Sequence, residues 1–517
     1  MPAPPPIDSS ESSSPLLARL LQLGDSERAA LLDAQGRVTF QAVAERARQL
    51  AAQLREQGLA GCRIALSSAP DRDWVEAFWG ILLAGGCVVP ISHLHPAPER
   101  DFFLRRSGAR AHLVSEGFAT SLPEGAAPRL VFQAGRLRER LGSSPPEPPG
   151  PTSPAALLLY TSGTTGQPKG VPLSHANVWA CVQTLSTDWG MTAADRLVHA
   201  LPLHHVHGIC VALLCAFCSG ASTELLPRYE PEQVLKAVAR ASVLMSVPTQ
   251  HKRLVDHLDG LPAAERASHE QSLRALRLIT SGSAKLPEQL GRRLEALSGQ
   301  YPLERYGMTE IGIVIGNPLD SRTRKPGSCG RPLPGTQLRI VDEAGLEIGA
   351  GQSGEIWVRG GSVFEGYDAE PEATRAAFSS GFFKTGDTAR WTPDGFVEIL
   401  GRTSVDIIKS GGYKLSAIEI EEQLRGHAWV HDVAVLGVPD DTWGERVVAI
   451  VIPSTVARPE LERRDPLELA EELRSWLKQR MAGYQVPKQI EWWTELPRNA
   501  MGKVQKPELL KRLVSSS

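Results

Sequence analysis

Cysteine is scarce in this sequence, with 7 residues in 517. Three of them, Cys210, Cys215 and Cys218, lie in the apolar stretch "GICVALLCAFCSGAS", which contains one CxxC pair. Such a pair can be a redox or metal site, but no second CxxC and no histidine-rich partner segment completes a four-ligand set. We therefore interpret these residues as buried, reduced thiols, which are typical of a protein in a reducing cytosol.

Long apolar runs and an excess of one charge are also missing. The formal net charge is -2 and the pI is near 6.7, so there is no basic field to attract nucleic acid or an anionic membrane. The run "AFWGILLAGGCVVPI" from Ala77 is too short and too rich in glycine for a membrane span, and it predicts a buried helix leading into a strand. The start, "MPAPPPIDSSESSSP", lacks the apolar core of a secretion signal, and its acidic residues argue against a transit peptide. We predict a cytoplasmic protein with no nucleic-acid partner, no membrane span and a disordered tail over residues 1–14.

Apolar strand-like segments alternate with amphipathic ones from about Leu16 to Leu400. "RIALSSA" and "AHLVSE" predict buried strands, and "TFQAVAERARQLAAQLREQG" predicts a helix that stops at Gly58. This alternation predicts a layered α/β architecture with largely parallel sheets. Further on, "DVAVLGVPD", "RVVAIVIP" and "ELAEELRSWLKQRM" predict a small α+β unit. We expect a large N-terminal domain over residues 15–402 and a small C-terminal domain over residues 403–517.

One loop, "YTSGTTGQPKG", concentrates hydroxyl groups and glycines directly after an apolar run. Backbone N–H groups and hydroxyls in such a loop can form an anion-binding nest, and Lys169 adds a point charge suited to phosphate. It is not a Walker A loop, because no GK[ST] follows. A generic polar turn is the alternative, and ten consecutive residues of this kind argue against it. The candidate phosphate-binding residues are Thr161, Ser162, Gly163, Thr164, Thr165 and Lys169.

This loop resembles the phosphate-loop signature of the adenylate-forming superfamily, which includes acyl- and aryl-CoA synthetases, peptide-synthetase adenylation domains and luciferases. Four further segments resemble other signatures of the superfamily, in its order: "ERYGMTE", "FKTGD", "GRTSVDIIKSGGYKL" and "PRNAMGKVQK". The resemblance covers nearly the whole chain. It implies an enzyme that uses ATP, Mg²⁺ and CoA, with a mobile C-terminal domain that rotates about a hinge between two half-reactions.

The resemblance implies that ATP binds to residues of these segments. Tyr306 would offer an aromatic face to the purine, Asp387 would accept the ribose hydroxyls, and Arg402 would reach the sugar or the phosphates. A lone acidic residue is ordinarily solvated in a loop, so these roles depend on the ordered set of motifs. The remaining nucleotide-binding candidates are Gly282, Ser283, Ala284, Gly307 and Met308.

Three residues, Lys503, Thr309 and Lys169, are predicted to act on the phosphates during catalysis. Attack of a carboxylate on the α-phosphorus brings two anions together, and the ammonium of Lys503 would offset the charge that builds there. Thr309 would donate to the α-phosphate. Glu310 is a hard oxygen ligand for Mg²⁺, which usually takes one or two carboxylates with phosphates and waters. A lysine near a C-terminus is ordinarily solvated, and only the motif match singles out Lys503.

The hinge is expected between Arg402 and Asp406. "GRTSVDIIK" is one residue longer than the commoner form of this motif, which leaves Ser404, Val405 and Asp406 as alternative pivots. The following "SGGYKLS" would line the path of the CoA thiol. The residues predicted for the hinge and the CoA site are therefore Ser404, Asp406, Ser410, Gly411 and Gly412.

Several histidines lie in "LPLHHVHG", which corresponds to a "PxFHxxG" element of the superfamily. His205 matches the histidine of that element, and His204 stands where an aromatic residue is usual. We expect His205 and His207 to line the acyl pocket or to gate the thiol tunnel rather than to act as bases. A metal site is the alternative, but no carboxylate or cysteine lies nearby in sequence.

Two arginines indicate which acid is activated. Arg253 and Arg305 lie, with Met308, in segments that line the acyl pocket of the superfamily. Burying a guanidinium against an alkyl chain is costly, whereas its planar fork suits a second carboxylate. Structural ion pairs, for example with Glu304, are the alternative. Longer segments such as "VPDDTWGERV" and "LPRNAMGKV" are similar to malonyl-CoA synthetases, so malonate is the predicted acid.

The sequence thus predicts an ATP- and Mg²⁺-dependent acid–thiol ligase. Malonate would attack the α-phosphate and release pyrophosphate, and CoA would then displace AMP to give malonyl-CoA. The expected partners are malonate, ATP and CoA, and the expected assembly is a monomer or homodimer. The alternatives are a medium- or long-chain fatty acyl-CoA ligase, a stand-alone adenylation module that loads a carrier protein, and a non-catalytic nucleotide-binding protein.

Overall fold

Four β-sheets and their flanking helices make up the computed structural model, which describes residues 14–92, 94–118, 129–141, 155–161, 168–498 and 504–515. The helices are α1 (Pro15–Leu23), α2 (Phe40–Glu56), α3 (Arg72–Leu83), α4 (Ala97–Ser107), α5 (His175–Asp188), α6 (Cys215–Cys218), α7 (Pro231–Val238), α8 (Pro248–Asp259), α9 (Ala263–Arg274), α10 (Glu288–Ser298), α11 (Pro371–Ala377), α12 (Ala417–Arg425), α13 (Ala457–Arg463), α14 (Pro466–Lys478) and α15 (Lys506–Ser515).

Strands β1 to β16 build the two large sheets, and strands β17 to β26 build the two smaller ones. The first thirteen are β1 (Ala29–Asp33), β2 (Gly36–Thr39), β3 (Arg63–Ser67), β4 (Cys87–Pro90), β5 (Ala111–Ser115), β6 (Arg129–Gln133), β7 (Arg136–Leu141), β8 (Ala155–Thr161), β9 (Lys169–Ser174), β10 (Arg196–His199), β11 (Ser222–Leu225), β12 (Val243–Ser246) and β13 (Leu278–Ser281). The others are β14 (Leu303–Met308), β15 (Gly312–Gly316), β16 (Arg331–Pro332), β17 (Thr336–Val341), β18 (Ser353–Gly360), β19 (Phe378–Ser379), β20 (Phe382–Trp391), β21 (Val397–Arg402), β22 (Ile407–Ser410), β23 (Tyr413–Ser416), β24 (Val430–Asp440), β25 (Gly444–Pro453) and β26 (Gln489–Trp492).

The two large sheets are mostly parallel. One has the order β7-β6-β5-β3-β4-β8-β9 and the other β16-β15-β14-β13-β12-β10-β11-β1-β2, with antiparallel pairs only at their ends. Helices connect the parallel strands, because a crossover between parallel strands needs a long connection. The predicted α/β architecture is confirmed.

Local sequence signals explain the predicted elements in these sheets. Helix α2 begins where the Thr39 hydroxyl accepts the N–H of Ala42 at 3.1 Å, and Gly58 follows its end with φ +70. The run from Ala77 lies in α3, which is buried almost all round, and leads into β4. A helix that is apolar on all faces belongs in a core.

A third, antiparallel sheet departs from the prediction of largely parallel strands. It has the order β17-β18-β20-β19, with β21 paired to β20. Short hairpin connections join β19 to β20 and β20 to β21 and force these neighbours to run in opposite directions, whereas the connection from β18 to β19 contains α11. This sheet carries the "FKTGD" segment on β20 and the start of "GRTSVDIIK" on β21, in a register that places Asp387 opposite Arg402.

The last sheet, β23-β22-β25-β24 with β26 beside β25, has its own core on both faces. Alternate residues of β24 and β25 face α12 and α14 on one side and α15 on the other. The predicted limits of the two domains stay a prediction, and the predicted tail lies outside the described residues except for Ser14. No helix in the described ranges is both long and apolar enough to cross a membrane.

The cysteines lie mostly in the interior, as predicted. All seven are free thiols, and six of them are buried. Burial raises the pKa of Cys215 and of Cys218 to about 12, so neither thiol is poised for reaction. The described residues hold no group of three or more potential metal ligands.

Candidate functional site

The candidate site is built around the ends of β13 and β14. These strands run parallel, so the segments that follow Ser281 and Met308 leave the sheet at the same edge. Strand β14 turns back into β15 through a tight hairpin, in which a Cβ at Gly307 would overlap the carbonyl oxygen of Gly312. Only glycine fits at position 307. Thr309, in the turn, is partly exposed.

Tyr306, Asp387 and Arg402 come together from three strands. The Tyr306 hydroxyl donates to Oδ2 of Asp387 at 2.6 Å, and Nε of Arg402 lies 2.9 Å from Oδ1 of the same carboxylate. Burial, together with the negative charge of Asp387, raises the pKa of Tyr306 well above its usual value. Asp387 is almost fully buried, whereas 41% of the Arg402 side chain is exposed. An aromatic ring, a carboxylate and a partly exposed cation thus lie side by side, and their predicted binding of a nucleoside stays a prediction.

Glu310 lies in the β14–β15 turn and is buried. Its Oε1 accepts the Tyr367 hydroxyl at 3.1 Å, and its Oε2 is buried without a hydrogen-bond partner among the described residues. Burial raises the pKa of this carboxyl above its ordinary value. An unpaired buried carboxylate oxygen fits the need of Mg²⁺ for a hard ligand, and one carboxylate suffices when phosphates and waters complete the shell.

Lys169 approaches Tyr367, the partner of Glu310, from the other large sheet. It opens β9, pairs with Thr161 on β8, and its Nζ lies 5.1 Å from the centroid of the Tyr367 ring. The Asp368 N–H donates to the carbonyl of Gly170 at 2.8 Å, which joins the segment that contains Tyr367 to β9. Lys169 therefore lies over the Tyr367 ring, and Glu310 contacts the Tyr367 hydroxyl. The predicted phosphate-loop residues Ser162, Gly163, Thr164 and Thr165, and the predicted catalytic Lys503, lie outside the described residues.

Arg305 has an unusual environment for a guanidinium. It is 5% exposed, and its Nε and Nη2 are buried without hydrogen-bond partners among the described residues. Burial lowers its pKa to about 10, so it is still a cation at neutral pH. Gly282 packs directly on the guanidinium, and a Cβ there would overlap it. An unpaired buried cation costs several kcal/mol in general, so this site is incomplete without an anion.

His207 lies next to this cation. Its Nδ1 is 3.0 Å from the hydroxyl of Ser283, and its Nε2 has no hydrogen-bond partner in the described part of the chain. Burial, and then the charge of Arg305, lower its pKa well below the ordinary value, so the imidazole is neutral. Ser283 adopts φ +68, a conformation that brings its hydroxyl to the histidine. His205 is half-buried, and the centroid of its ring lies 4.1 Å from the centroid of the His204 ring.

Arg253 is placed differently from Arg305. It lies on α8 with 53% of its side chain exposed, 3.5 Å from Glu230 and over the Tyr229 ring. Its ion pair is therefore with Glu230 rather than with Glu304, and its role in the acyl pocket stays a prediction. Glu304 is buried, accepts the N–H of Gly327 at 3.2 Å, and burial raises its pKa to about 8.

The predicted hinge segment is held at both of its ends. The Thr403 N–H donates to the carbonyl of Gly386 at 2.9 Å, and Oδ2 of Asp406 accepts the N–H of Arg402 at 3.0 Å. Ser404 between them is exposed. A groove of about 390 Å³ opens here, lined by Thr403, Ser404, Ile407, Lys409, Gly444 and Glu445. Nearby, β22 ends at buried Ser410, and the turn to β23 consists of exposed Gly411 and Gly412, both with positive φ.

Sequence reasoning missed Tyr367. This residue contacts both the predicted metal ligand Glu310 and the predicted phosphate ligand Lys169. It stands in "FEGYDAEP", 57 positions from Glu310, and no spacing rule links the two segments.

Comparisons with known proteins identify the family of this chain. A family model described as AMP-binding enzyme matches residues 23–368, and one described as AMP-binding enzyme C-terminal domain matches residues 419–503. Human malonate–CoA ligase ACSF3, mitochondrial, is 38% identical over 98% of this chain and 93% of its own length. Malonate–CoA ligase of Arabidopsis thaliana is 37% identical over 88% of this chain and 78% of its own. The crystal structure of ATP-bound MatB from Rhodopseudomonas palustris superposes with a TM-score of 0.83 at 33% identity, covering 96% of this chain and 98% of that one.

Proposed function

The chain belongs to the AMP-binding enzyme family, and from this premise we propose that it joins malonate to CoA at the expense of ATP, through malonyl-AMP. The observation that carries the choice of acid is the buried guanidinium of Arg305, whose Nε and Nη2 lack hydrogen-bond partners among the described residues. The second carboxylate of malonate would accept from both nitrogens, and the neutral His207 beside it adds no competing charge. A fatty acyl chain would leave the cation unpaired. The relatives whose names include malonate support the same choice.

ATP would be held by residues from three sheets. The Tyr306 ring would face the purine, Asp387 and Arg402 the ribose, and Lys169 with Thr161 the phosphates. Two segments would form walls of this site: the residues after β13, and the end of β14 with the turn that follows it. The first contributes Gly282, Ser283 and Ala284, and the second contributes Gly307, Met308 and Thr309.

Mg²⁺ would bind at Glu310, whose orphaned Oε2 is the observation that supports the assignment. When bound, the ion neutralises phosphate charge and orients the leaving pyrophosphate. Tyr367 keeps the other carboxylate oxygen in place.

The reaction would take place in two steps. A carboxylate oxygen of malonate bonds to the α-phosphorus, the bond from that phosphorus to the bridging oxygen breaks, and pyrophosphate leaves. Thr309 and Lys503 would offset the charge on the α-phosphate as this happens. The sulfur of CoA then bonds to the activated carbonyl carbon, the bond to AMP oxygen breaks, and the thiol proton passes to solvent. We propose that the hinge near Ser404 and Asp406 exchanges the faces of the C-terminal domain between the steps.

The cellular location and the assembly are proposals that rest on composition alone. We retain a cytoplasmic location, although the human relative is named as mitochondrial. Fractionation of cells that produce the full chain tests the location, and light scattering distinguishes a monomer from a homodimer.

The acid and the acceptor are tested by measuring pyrophosphate release and thioester formation with purified protein. Malonate, methylmalonate, octanoate and palmitate are offered as acids, and free CoA or a phosphopantetheinyl carrier protein as acceptors. The proposal predicts turnover of malonate with free CoA. Turnover confined to palmitate, or transfer confined to the carrier, contradicts it.

A further inference from the structure

Lys506 forms buried ion pairs that the proposed chemistry does not use. Its Nζ lies 2.6 Å from Oδ1 of Asp406 and 2.8 Å from Oε1 of Glu421. The three side chains are 11%, 15% and 8% exposed, so solvent screens them little. Burial alone would lower the pKa of Lys506, but the charges of Glu421 and Asp406 outweigh it and raise the pKa. The lysine is therefore charged, and it joins α15, the hinge segment and α12.

Both carboxylates are fixed by further contacts. Oε1 of Glu421 accepts the N–H of Val435 at 2.9 Å, and its Oε2 lies 3.3 Å from Arg425. Oδ2 of Asp406 accepts the N–H of Arg402 at 3.0 Å, and the backbone carbonyl of Asp406 accepts the N–H of Ala417 at 2.8 Å. These contacts restrain the carboxylates of Glu421 and Asp406, and the two carboxylates in turn position the ammonium of Lys506.

Lys506 also lies at the base of the segment that carries Lys503. Residues Arg498 and Val504 form an antiparallel bridge, and the N–H of Gln505 donates to the carbonyl of Pro497 at 2.9 Å. Arg498 is further ion-paired to Asp432. The described residues on either side of the Lys503 segment are therefore joined at one point, and Lys506 lies two residues beyond Val504.

We propose that Lys506 is a positioning residue for adenylation, which ties the base of the Lys503 segment to hinge residue Asp406. The inference rests on the proposed function, in which Lys503 acts at the α-phosphate. A point charge stabilises that transition state only when it is held in place, and a displacement of about 1 Å can cost about 100-fold in rate. Thioester formation has no step at the α-phosphate that needs Lys503, so it does not depend on Lys506 in this way.

The test separates the two half-reactions in the full-length protein. Adenylation is followed by acid-dependent exchange of pyrophosphate into ATP, and thioester formation by release of AMP from prepared acyl-AMP and CoA. Lys506→Met should lower kcat for exchange by about 10- to 100-fold, with the KM values for ATP and acid little changed and thioester formation retained. Lys506→Arg should restore most of the exchange. Lys478→Met, an exposed lysine on α14, is the matched control.

Glu421→Gln provides a milder variant in case Lys506→Met does not fold. Through Oε1, glutamine can still accept from the Val435 N–H and from Lys506, so the sheet is kept while Lys506 loses the negative charge of one partner. A smaller loss, again confined to exchange, supports the proposal. Equal losses in both half-reactions, or no loss in either variant that folds, overturn it. The assay uses whichever acid the wild-type protein activates, so a wrong choice of malonate leaves this test intact.

Discussion

At the scale of single residues, the site depends on buried groups that lack an ordinary partner. Arg305 and Glu310 each keep buried polar atoms without hydrogen bonds in the described part of the chain, one as a cation and one as a carboxylate. Folded proteins rarely leave such atoms unpaired, because each costs about 1–3 kcal/mol or more. We interpret both as positions that the substrate or its metal ion completes.

Glu310 gives the first prediction. Glu310→Gln keeps the size of the side chain and can still accept from Tyr367, but it removes the charge that a divalent cation needs. The Mg²⁺ concentration for half-maximal pyrophosphate release should rise by about 10-fold or more. Glu265→Gln, at an exposed position of α9, serves as the control. An unchanged Mg²⁺ titration of Glu310→Gln would remove this residue from the metal site.

Glu304 gives a prediction about pH. Burial raises its pKa in the folded protein to about 8, above the ordinary value of 4.5. Between these two values the folded state holds a proton that the unfolded state has lost, so stability decreases as pH rises. Glu304→Gln removes this dependence. The difference in melting temperature, variant minus wild type, should therefore increase between pH 5 and pH 9. A constant difference would show that Glu304 does not titrate in this range.

At the scale of elements, the β14–β15 hairpin places Tyr306, Arg305 and Glu310 on one short stretch of chain. Alternate residues of a strand face opposite sides, and the tight turn then brings Glu310 back beneath the same edge. The close approach at Gly307 is what permits the turn.

The hairpin is tested by Gly307→Ala. The added methyl group would overlap the Gly312 carbonyl, and relief of the overlap requires a backbone shift that costs about 1–3 kcal/mol. The melting temperature should fall by several degrees, and adenylation should fall with it. Gly349→Ala, where a Cβ meets open space, is the matched control. If both variants melt alike, the close approach is not a constraint.

Periodicity predicted the elements with long, regular patterns and missed those set by tertiary contacts. Helices α2 and α3 and strands β3 and β5 follow from apolar spacing and capping residues. The antiparallel third sheet did not, because its strands are only partly buried. In the site, the motif residues Tyr306, Asp387 and Arg402 do come together. Sequence alone could not separate buried Arg305 from half-exposed Arg253, since burial depends on which elements pack around a side chain.

At the scale of the whole molecule, the site gathers groups from several sheets and from the hinge. Lys169 comes from one large sheet, Arg305 and Tyr306 from the other, and Asp387 and Arg402 from the third. The hinge segment continues directly from Arg402 into the C-terminal sheet. In the mechanism we propose, chemistry at the α-phosphate and rotation of the C-terminal part would therefore be linked through a few residues of chain.

The account is tested most directly by comparing malonate with propionate, which lacks the second carboxylate, in wild type and in Arg305→Met. We predict that wild type favours malonate by about 30-fold or more in kcat/KM for pyrophosphate release, because leaving a buried charge without its partner costs about 2–5 kcal/mol. The variant should lose this preference while keeping turnover of propionate. Equal use of the two acids by wild type, or an unchanged preference in the variant, would contradict a guanidinium that binds the second carboxylate.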